Sequence, residues 1–264
     1  MIRLGQYLPG ETIIHHLDPR VKILSVVALS ILIFGATPAE ILLISAFLIA
    51  VILAARMTPS QALGALRPVA VFMAMIFLVH LLFTDGRPLL SLAPLPVRIT
   101  QEGLFRGIYV SWQFAGLVLA AAVLTLTTPP SDLVGGIERL FRPLSRVGVP
   151  SQDLAVMIAM ALRFMPMLLE EYDRLRMAQM ARGADFSTGS VVLRARAVAA
   201  LAVPLLLSSF RRADELAVAM EARGYRRGPR TTLRELLFSG CDLGAFAVMV
   251  SFFLVNFALR MAIR

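Results

Sequence analysis

Lysine is almost absent: Lys22 is the only one in 264 residues, so arginine carries nearly all of the positive side of a +9 formal charge. Charge of either sign is scarce, at 16% of residues against 58% hydrophobic. Soluble domains carry about a quarter charged residues, so an ordinary water-soluble globule is excluded. Cysteine occurs once, as Cys241, which rules out a disulfide framework and a cysteine metal site. His15, His16 and His80 are the only histidines, and no H-E-x-x-H or His/Cys ligand spacing exists. No G-x-x-x-x-G-K-[ST] segment occurs, and Lys22 is followed by Ile23, so the chain has no phosphate-binding loop of its own. The basic balance sits beside long apolar runs, which points to a membrane surface and not to nucleic acid. The N-terminus does not read as a cleavable signal, because the first apolar run starts near Ile23 and a second follows almost at once.

Five runs lack Asp, Glu, Lys and Arg and approach bilayer-spanning length: Ile23–Ala39, Ile41–Ala55, Pro68–Thr84, Gly107–Ser131 and Leu243–Leu259. The second is short at 15 residues, and Arg56 is expected to extend it by snorkelling. Asp18 and Pro19 supply an N-cap and a first-turn proline for the first helix. Tyr109 and Trp112 near one end of the fourth run suit an interfacial aromatic belt. The expected fold is an all-α integral membrane protein of about five transmembrane helices. Residues 1–131 hold four of them, 132–239 form a cytoplasmic or interfacial region, and 240–264 hold the last.

Arginine placement sets the orientation. Arg3, Arg20 and Lys22 precede the first run, the turn after it has no Lys or Arg, and Arg56 and Arg67 follow the second. The N-terminus therefore reads as cytoplasmic. Arg87, Arg98 and Arg106 after the third run, and Arg260 and Arg264 at the end, pull the other way.

Pro129–Ser239 holds 16 arginines and 11 acidic residues alongside apolar segments such as Ala197–Leu207. Breakers divide it into a short helix, Asp132–Arg146, closed by Gly148 and Pro150, and two long ones, Ser151–Arg182 and Ser190–Arg223. Each long helix would extend on the order of 50 Å at ~1.5 Å per residue. Pro166 and Pro204 lie inside them and are expected to kink them. Leu154, Ile158, Ala161, Met165 and Leu168 give the first an apolar start, whereas Glu170, Glu171, Asp173, Arg174 and Arg176 make its end charged. Arg211, Arg212, Asp214 and Glu215 do the same for the second. Glu170 and Arg174 form an i,i+4 pair.

Each long helix ends in the same tripeptide, Ala181-Arg182-Gly183 and Ala222-Arg223-Gly224. Asp173, Leu175 and Ala178 align with Asp214, Leu216 and Ala219 at the same offset of 41. A single such tripeptide is an ordinary helix end, with a cation near the negative pole and a glycine C-cap. Two copies in one loop point further, to rigid arginine forks projecting from helix tips into grooves on another protein.

Together with these tripeptides, His16-Leu17-Asp18-Pro19-Arg20-Val21-Lys22, Leu82-Phe83-Thr84, Leu162-Arg163-Phe164 with Pro166, and Met220-Glu221-Ala222-Arg223-Gly224-Tyr225 resemble the transmembrane T component of energy-coupling factor transporters. Those are ABC-type importers of vitamins, cobalt and nickel. The resemblance spans nearly the whole chain and is most specific at the twin tripeptide. It implies a multi-pass protein of a prokaryotic cell membrane, with two coupling helices on the cytoplasmic side. It implies two cytoplasmic ABC ATPases as partners, with Arg182 and Arg223 docking, Ala181 and Ala222 allowing close approach, and Gly183 and Gly224 turning the chain away. It also implies a separate membrane S component that binds the substrate. On this reading there is no catalytic residue, no metal site and no cofactor.

Two rivals remain. Glu221-Ala222-Arg223-Gly224 is similar to the cytoplasmic motif of conventional ABC permeases, but a half-permease needs one docking element and this chain has two. A membrane enzyme would need clustered Asp, His or Cys at a membrane surface. His80 and Asn256, the most polar groups in the runs, read as helix–helix hydrogen-bonding residues. His15-His16 reads as interfacial. The 13 methionines, several of them in Met157–Met180, read as core filling, with an adaptable exchange surface for S components as the alternative.

Overall fold

The computed structural model describes residues 7–91, 98–141, 151–184, 186, 191–225 and 239–263. Arg3, Arg146, Gly148, Pro150, Ser190 and Arg264 lie outside them. The elements in order are α1 Ile13–His16, α2 Pro19–Gly35, α3 Glu40–Ala54, α4 Pro59–Leu66, a 3-10 turn Arg67–Val69 and α5 Ala70–Phe83. A two-stranded antiparallel ribbon follows, β1 Pro88–Ser91 with β2 Arg98–Thr100, Pro88 opposite Thr100. Then come α6 Gln101–Thr127, α7 Pro130–Phe141, α8 Ser151–Ala181, α9 Val191–Ala222 and α10 Gly240–Ile263. The protein is an α-helical membrane protein, and among the described residues its one ribbon lies in the α5–α6 connection.

Helices occupy all five apolar runs, but their ends move. Pro59–Phe83, Gln101–Thr127 and Gly240–Ala262 are long and apolar enough to cross a membrane, while α2 has 17 residues and α3 has 15. The helical stretch through the third run starts at Pro59, nine residues before the run itself, because Thr58 and Gln61 form a capping box. The fourth run splits: α6 stops at Thr127 and Pro130 opens α7. Charged residues excluded from the runs enter at helix ends, with Arg20 and Lys22 in α2, Glu40 in α3, Glu102 and Arg106 in α6, and Asp242 and Arg260 in α10. Arg56 does not extend α3. It adopts a left-handed φ of 52°, and Met57 N–H reaches Ile52 O at 3.2 Å, which closes the helix.

The chain divides into two units, residues 3–137 with 235–264, and residues 138–234. In the first, α2, α3, α6 and α10 share a core of Leu29, Ile33, Ile44, Leu48, Ala120 and Met249. Ile33 is completely buried. Around this core the apolar surface is open: Leu42 and Val71 are each 81% exposed and Phe83 79%. Side chains of this kind are stable outward only against hydrocarbon.

α2 and α10 run in the same direction. At their starts Asp18 N–H donates to Asp242 Oδ1 at 2.6 Å; at their ends the Arg260 guanidinium donates to Gly35 O. A basic residue at the far end thus finds the carbonyl pole of α2, where a cation is favourable. Tyr109 O–H donates to Ala36 O and Trp112 Nε1–H to Ser45 Oγ at 2.9 Å, so both aromatics also tie α6 to the α2–α3 corner. The chain leaves this unit through α7 and re-enters at Ser239, both at the Asp18 end.

The most polar mid-span groups bond within their own helices. Asn256 Nδ2–H donates to Phe252 O at 2.8 Å, and His80 Nδ1 lies 3.4 Å from Thr84 Oγ1. The expected bonds between helices are replaced by i,i+4 bonds, and Asn256 Oδ1 stays buried without a hydrogen-bond partner among the described residues. Both His15 nitrogens are engaged, Nδ1 with Thr12 Oγ1 at 2.6 Å and Nε2 with Leu8 O at 3.2 Å.

Candidate functional site: two equivalent helix tips

α8 and α9 form the second unit. Both run without interruption through their internal prolines, Pro166 and Pro204. Their ends are built alike, bond for bond. In α8, Ala184 N–H donates to Gln179 O at 3.0 Å and Gly183 N–H to Met180 O at 3.0 Å. In α9, Tyr225 N–H donates to Met220 O at 3.0 Å and Gly224 N–H to Glu221 O at 2.9 Å. This pair of bonds is the Schellman closure, and it needs a left-handed residue just beyond the helix. Gly183 and Gly224 supply it, with φ of 86° and 78°. An added Cβ would meet no other atom at either glycine, so the requirement for glycine is one of backbone conformation alone.

Arg182 and Arg223 sit immediately before those glycines, still bonded into the last turn: Arg182 N–H reaches Gln179 O at 3.0 Å and Arg223 N–H reaches Met220 O at 3.1 Å. Ala181, Arg182, Gly183, Ala222, Arg223 and Gly224 are all exposed. Among the described residues, neither arginine side chain is held by a hydrogen bond or ion pair. Each tip therefore offers a fixed backbone and a free guanidinium.

Nearer their middles the two helices are clasped. Arg212 donates to Glu171 Oε2 at 2.7 Å and lies against Met167 Sδ. Glu171 and Arg212 are 41 positions apart, the offset of the sequence repeat, so the clasp joins equivalent points of the two helices. Eleven residues separate each clasp residue from the arginine of its own tip, an arm of ~16 Å at helical rise. Around the clasp the helices line an open cleft through Phe164, Met167, Pro204, Leu207 and Leu216. Glu170 and Arg174 approach to 4.0 Å with both side chains largely in solvent, which is worth little.

Met157 and Met167 in the apolar half of α8, and Met177 and Met180 close to its tip, are 44–63% exposed, so these methionines do not fill a core. Val198, Val203, Leu206 and Phe210 of α9 are likewise exposed. The charge pattern that marks Glu171 and Arg212 as a pair was visible in the sequence only as one acidic and one basic residue at the repeat offset; that they meet is seen only in the structure. No cluster of three or more His, Cys, Asp or Glu side chains fit to hold a metal ion exists among the described residues.

The family profile described as "Cobalt transport protein" matches residues 10–233. The chain belongs to the T-component family of energy-coupling factor transporters. The T component is 44% identical over 253 residues to an energy-coupling factor transporter transmembrane protein of Thermosediminibacter oceani, covering 93% of this chain and 92% of that one. A protein of the same description from Acidaminococcus fermentans is 40% identical, with 99% and 98% covered, and one from Bacillus subtilis is 38% identical, with 97% of each covered. The matched region includes the opening His16–Lys22 segment, all of α8 and α9, and both arginine tips. The T component is thus a membrane component of a transporter, in keeping with an apolar helical unit and a chain without a phosphate-binding loop.

Proposed function

We propose that this T component couples two cytoplasmic ABC ATPases to a membrane S component, driving import of a vitamin or a transition-metal ion. The observation that carries the reading is the twin tip: two exposed arginines, each locked before a left-handed glycine, at equal distances from a clasp between equivalent residues. One docking element serves one ATPase, and two identical elements suit a pair. Each guanidinium presents five donors in a rigid fork, which matches carboxylates and carbonyls lining a groove. Alanine at 181 and 222 leaves room beside the fork, and the glycine turns the chain out of the groove.

The same reading gives the remaining parts their roles. The exposed apolar halves of α8 and α9, with their methionines, are the surface that meets the S component, and methionine adapts to partners of different shape. The chain contributes no nucleotide site, no cofactor and no metal ligand; ATP is hydrolysed by the partner ATPases. The protein lies in the cell membrane, the inner one where there are two, with the N-terminus and both tips on the cytoplasmic side and the Arg260 end outside. No contact with nucleic acid is involved.

The test is copurification from detergent with co-expressed ATPases, comparing the wild-type chain with Arg182→Glu, Arg223→Glu and the double variant. Wild type retains both ATPases, each single variant weakens retention, and the double variant loses them while keeping its thermal midpoint. Retention by the double variant would reduce the tripeptides to helix caps and remove the main support for the reading.

A further inference from the structure

The opening segment His16–Lys22 is assigned no docking role above, yet from Asp18 to Lys22 it is tied to both α6 and α10. Asp18 caps α2, accepting from Arg20 N–H at 2.8 Å and holding the Arg20 guanidinium at 2.8 Å. Its own N–H goes to Asp242 Oδ1. The other oxygen of Asp242 accepts from Ser239 N–H and Ser239 O–H, both at 2.8 Å. One carboxylate therefore fixes the start of α2 and the start of α10 together. Asp18 and Asp242 are 5% and 2% exposed, so neither bond is loosened by solvent.

One turn further on, Lys22 Nζ donates to His15 O at 3.0 Å, Thr127 O at 3.1 Å and Thr128 Oγ1 at 3.2 Å. All three ammonium donors are used, and two of them grip the carbonyl end of α6, where a cation belongs. Lys22 is 6% exposed. Between these two points α7 rests on the same turn. A Cβ on Gly136 would stand 3.0 Å from Pro19 Cβ and 3.3 Å from Ile23 Cδ1, so any larger residue would push α7 off this turn by a few tenths of an ångström.

The connections are selective. The segment on which the chain departs towards residues 138–234 is held by Lys22 and Pro19, and the segment on which it returns is held by Asp18. We infer that the Asp18–Lys22 turn is the joint through which movement of the coupling helices reaches the membrane spans, with Lys22, Asp242 and Gly136 as positioning residues. This rests on the coupling function proposed above. A push delivered along α7 or along the return to α10 meets the same rigid turn, so α2, α6 and α10 must respond together and not separately.

The test uses the whole complex, with ATPases and S component, in proteoliposomes. An environment-sensitive maleimide dye is placed at Met261→Cys in a Cys241→Ser background, at the far end of α10, where Met261 is 65% exposed. ATP produces a fluorescence change in the otherwise unaltered complex. Lys22→Met, Asp242→Ala and the milder Gly136→Ala keep the ATPases bound and hydrolysis within about twofold, while the ATP-driven signal falls at least about fivefold. Gln113→Leu serves as the structural control. It removes buried bonds to Ile33 O and Phe34 O at the opposite end of the same unit, lowers the thermal midpoint and leaves the signal intact. An undiminished signal in the three joint variants, or an equal loss in Gln113→Leu, would overturn the inference. Failure of the ATPases to copurify with the unaltered chain would instead strike at the coupling function, and is read in a separate step.

Discussion

Two left-handed glycines and one left-handed arginine end helices in this protein, and the difference between them is measurable. Gly183 and Gly224 adopt φ of 86° and 78° without steric company. Replacing either by alanine forces a Cβ into the left-handed region at a cost of about 1 kcal/mol. Chemical denaturation reads that cost, and on the proposed docking role retention of the ATPases is expected to fall with it because the arginine loses its fixed base. Arg56 shows the converse: it is exposed, with φ of 52°, in the position glycine takes at the other two ends. Arg56→Gly is expected to raise stability by up to about 1 kcal/mol, measured the same way. The sequence made the first two sites plain, since an arginine-glycine pair after a long periodic helix is a stop signal. Arg56 gave no such signal. Counting charge-free residues finds where a helix is apolar, and says nothing about which backbone bond closes it.

At the scale of elements, the clasp between α8 and α9 is testable by itself. The Glu171 and Arg212 side chains are 21% and 37% exposed, so the pair is partly screened and contributes up to about 1 kcal/mol. A double-mutant cycle with Glu171→Gln and Arg212→Gln should give a coupling energy of about 0.5–1 kcal/mol. The exchanged pair, Glu171→Arg with Arg212→Glu, should recover stability that either reversal alone loses. Periodicity and breakers located α8 and α9 to within about a residue of each expected end among the described positions. Their mutual contact was not legible, because a repeat offset shows which positions are equivalent and not whether equivalents touch. The capping box at Thr58 and Gln61 was missed for a simpler reason: it lies outside the apolar run, in the part of the sequence that a search for spans discards.

For the molecule as a whole, helix direction gives the topology a sharp consequence. α2 and α10 are parallel, so Cys241 and Met261 mark opposite ends of the first unit. With the N-terminus cytoplasmic, an impermeant maleimide applied to intact cells should leave exposed Cys241 unmodified and label Met261→Cys in a Cys241→Ser background. Inside-out vesicles should reverse the result. The presence of Arg260 at the far end, which conflicts with arginine counting, is explained by its contact with the last carbonyl of α2. That contact depends on a carbonyl 225 positions away, which no local pattern reports.

Equal arms also fix an angle. Eleven residues at ~100° each bring a helix round by three full turns and about 20° more, so each tip arginine leaves its helix on nearly the side that carries its clasp residue. The clasp is thereby an azimuthal reference for both guanidinium forks. One residue inserted between Arg212 and Arg223 would swing the second fork by ~100° while lifting it only ~1.5 Å. An insertion of eleven would restore its heading at the end of a doubled arm. Compass bearing, more than reach, is what the spacing of these helices conserves between the two tips.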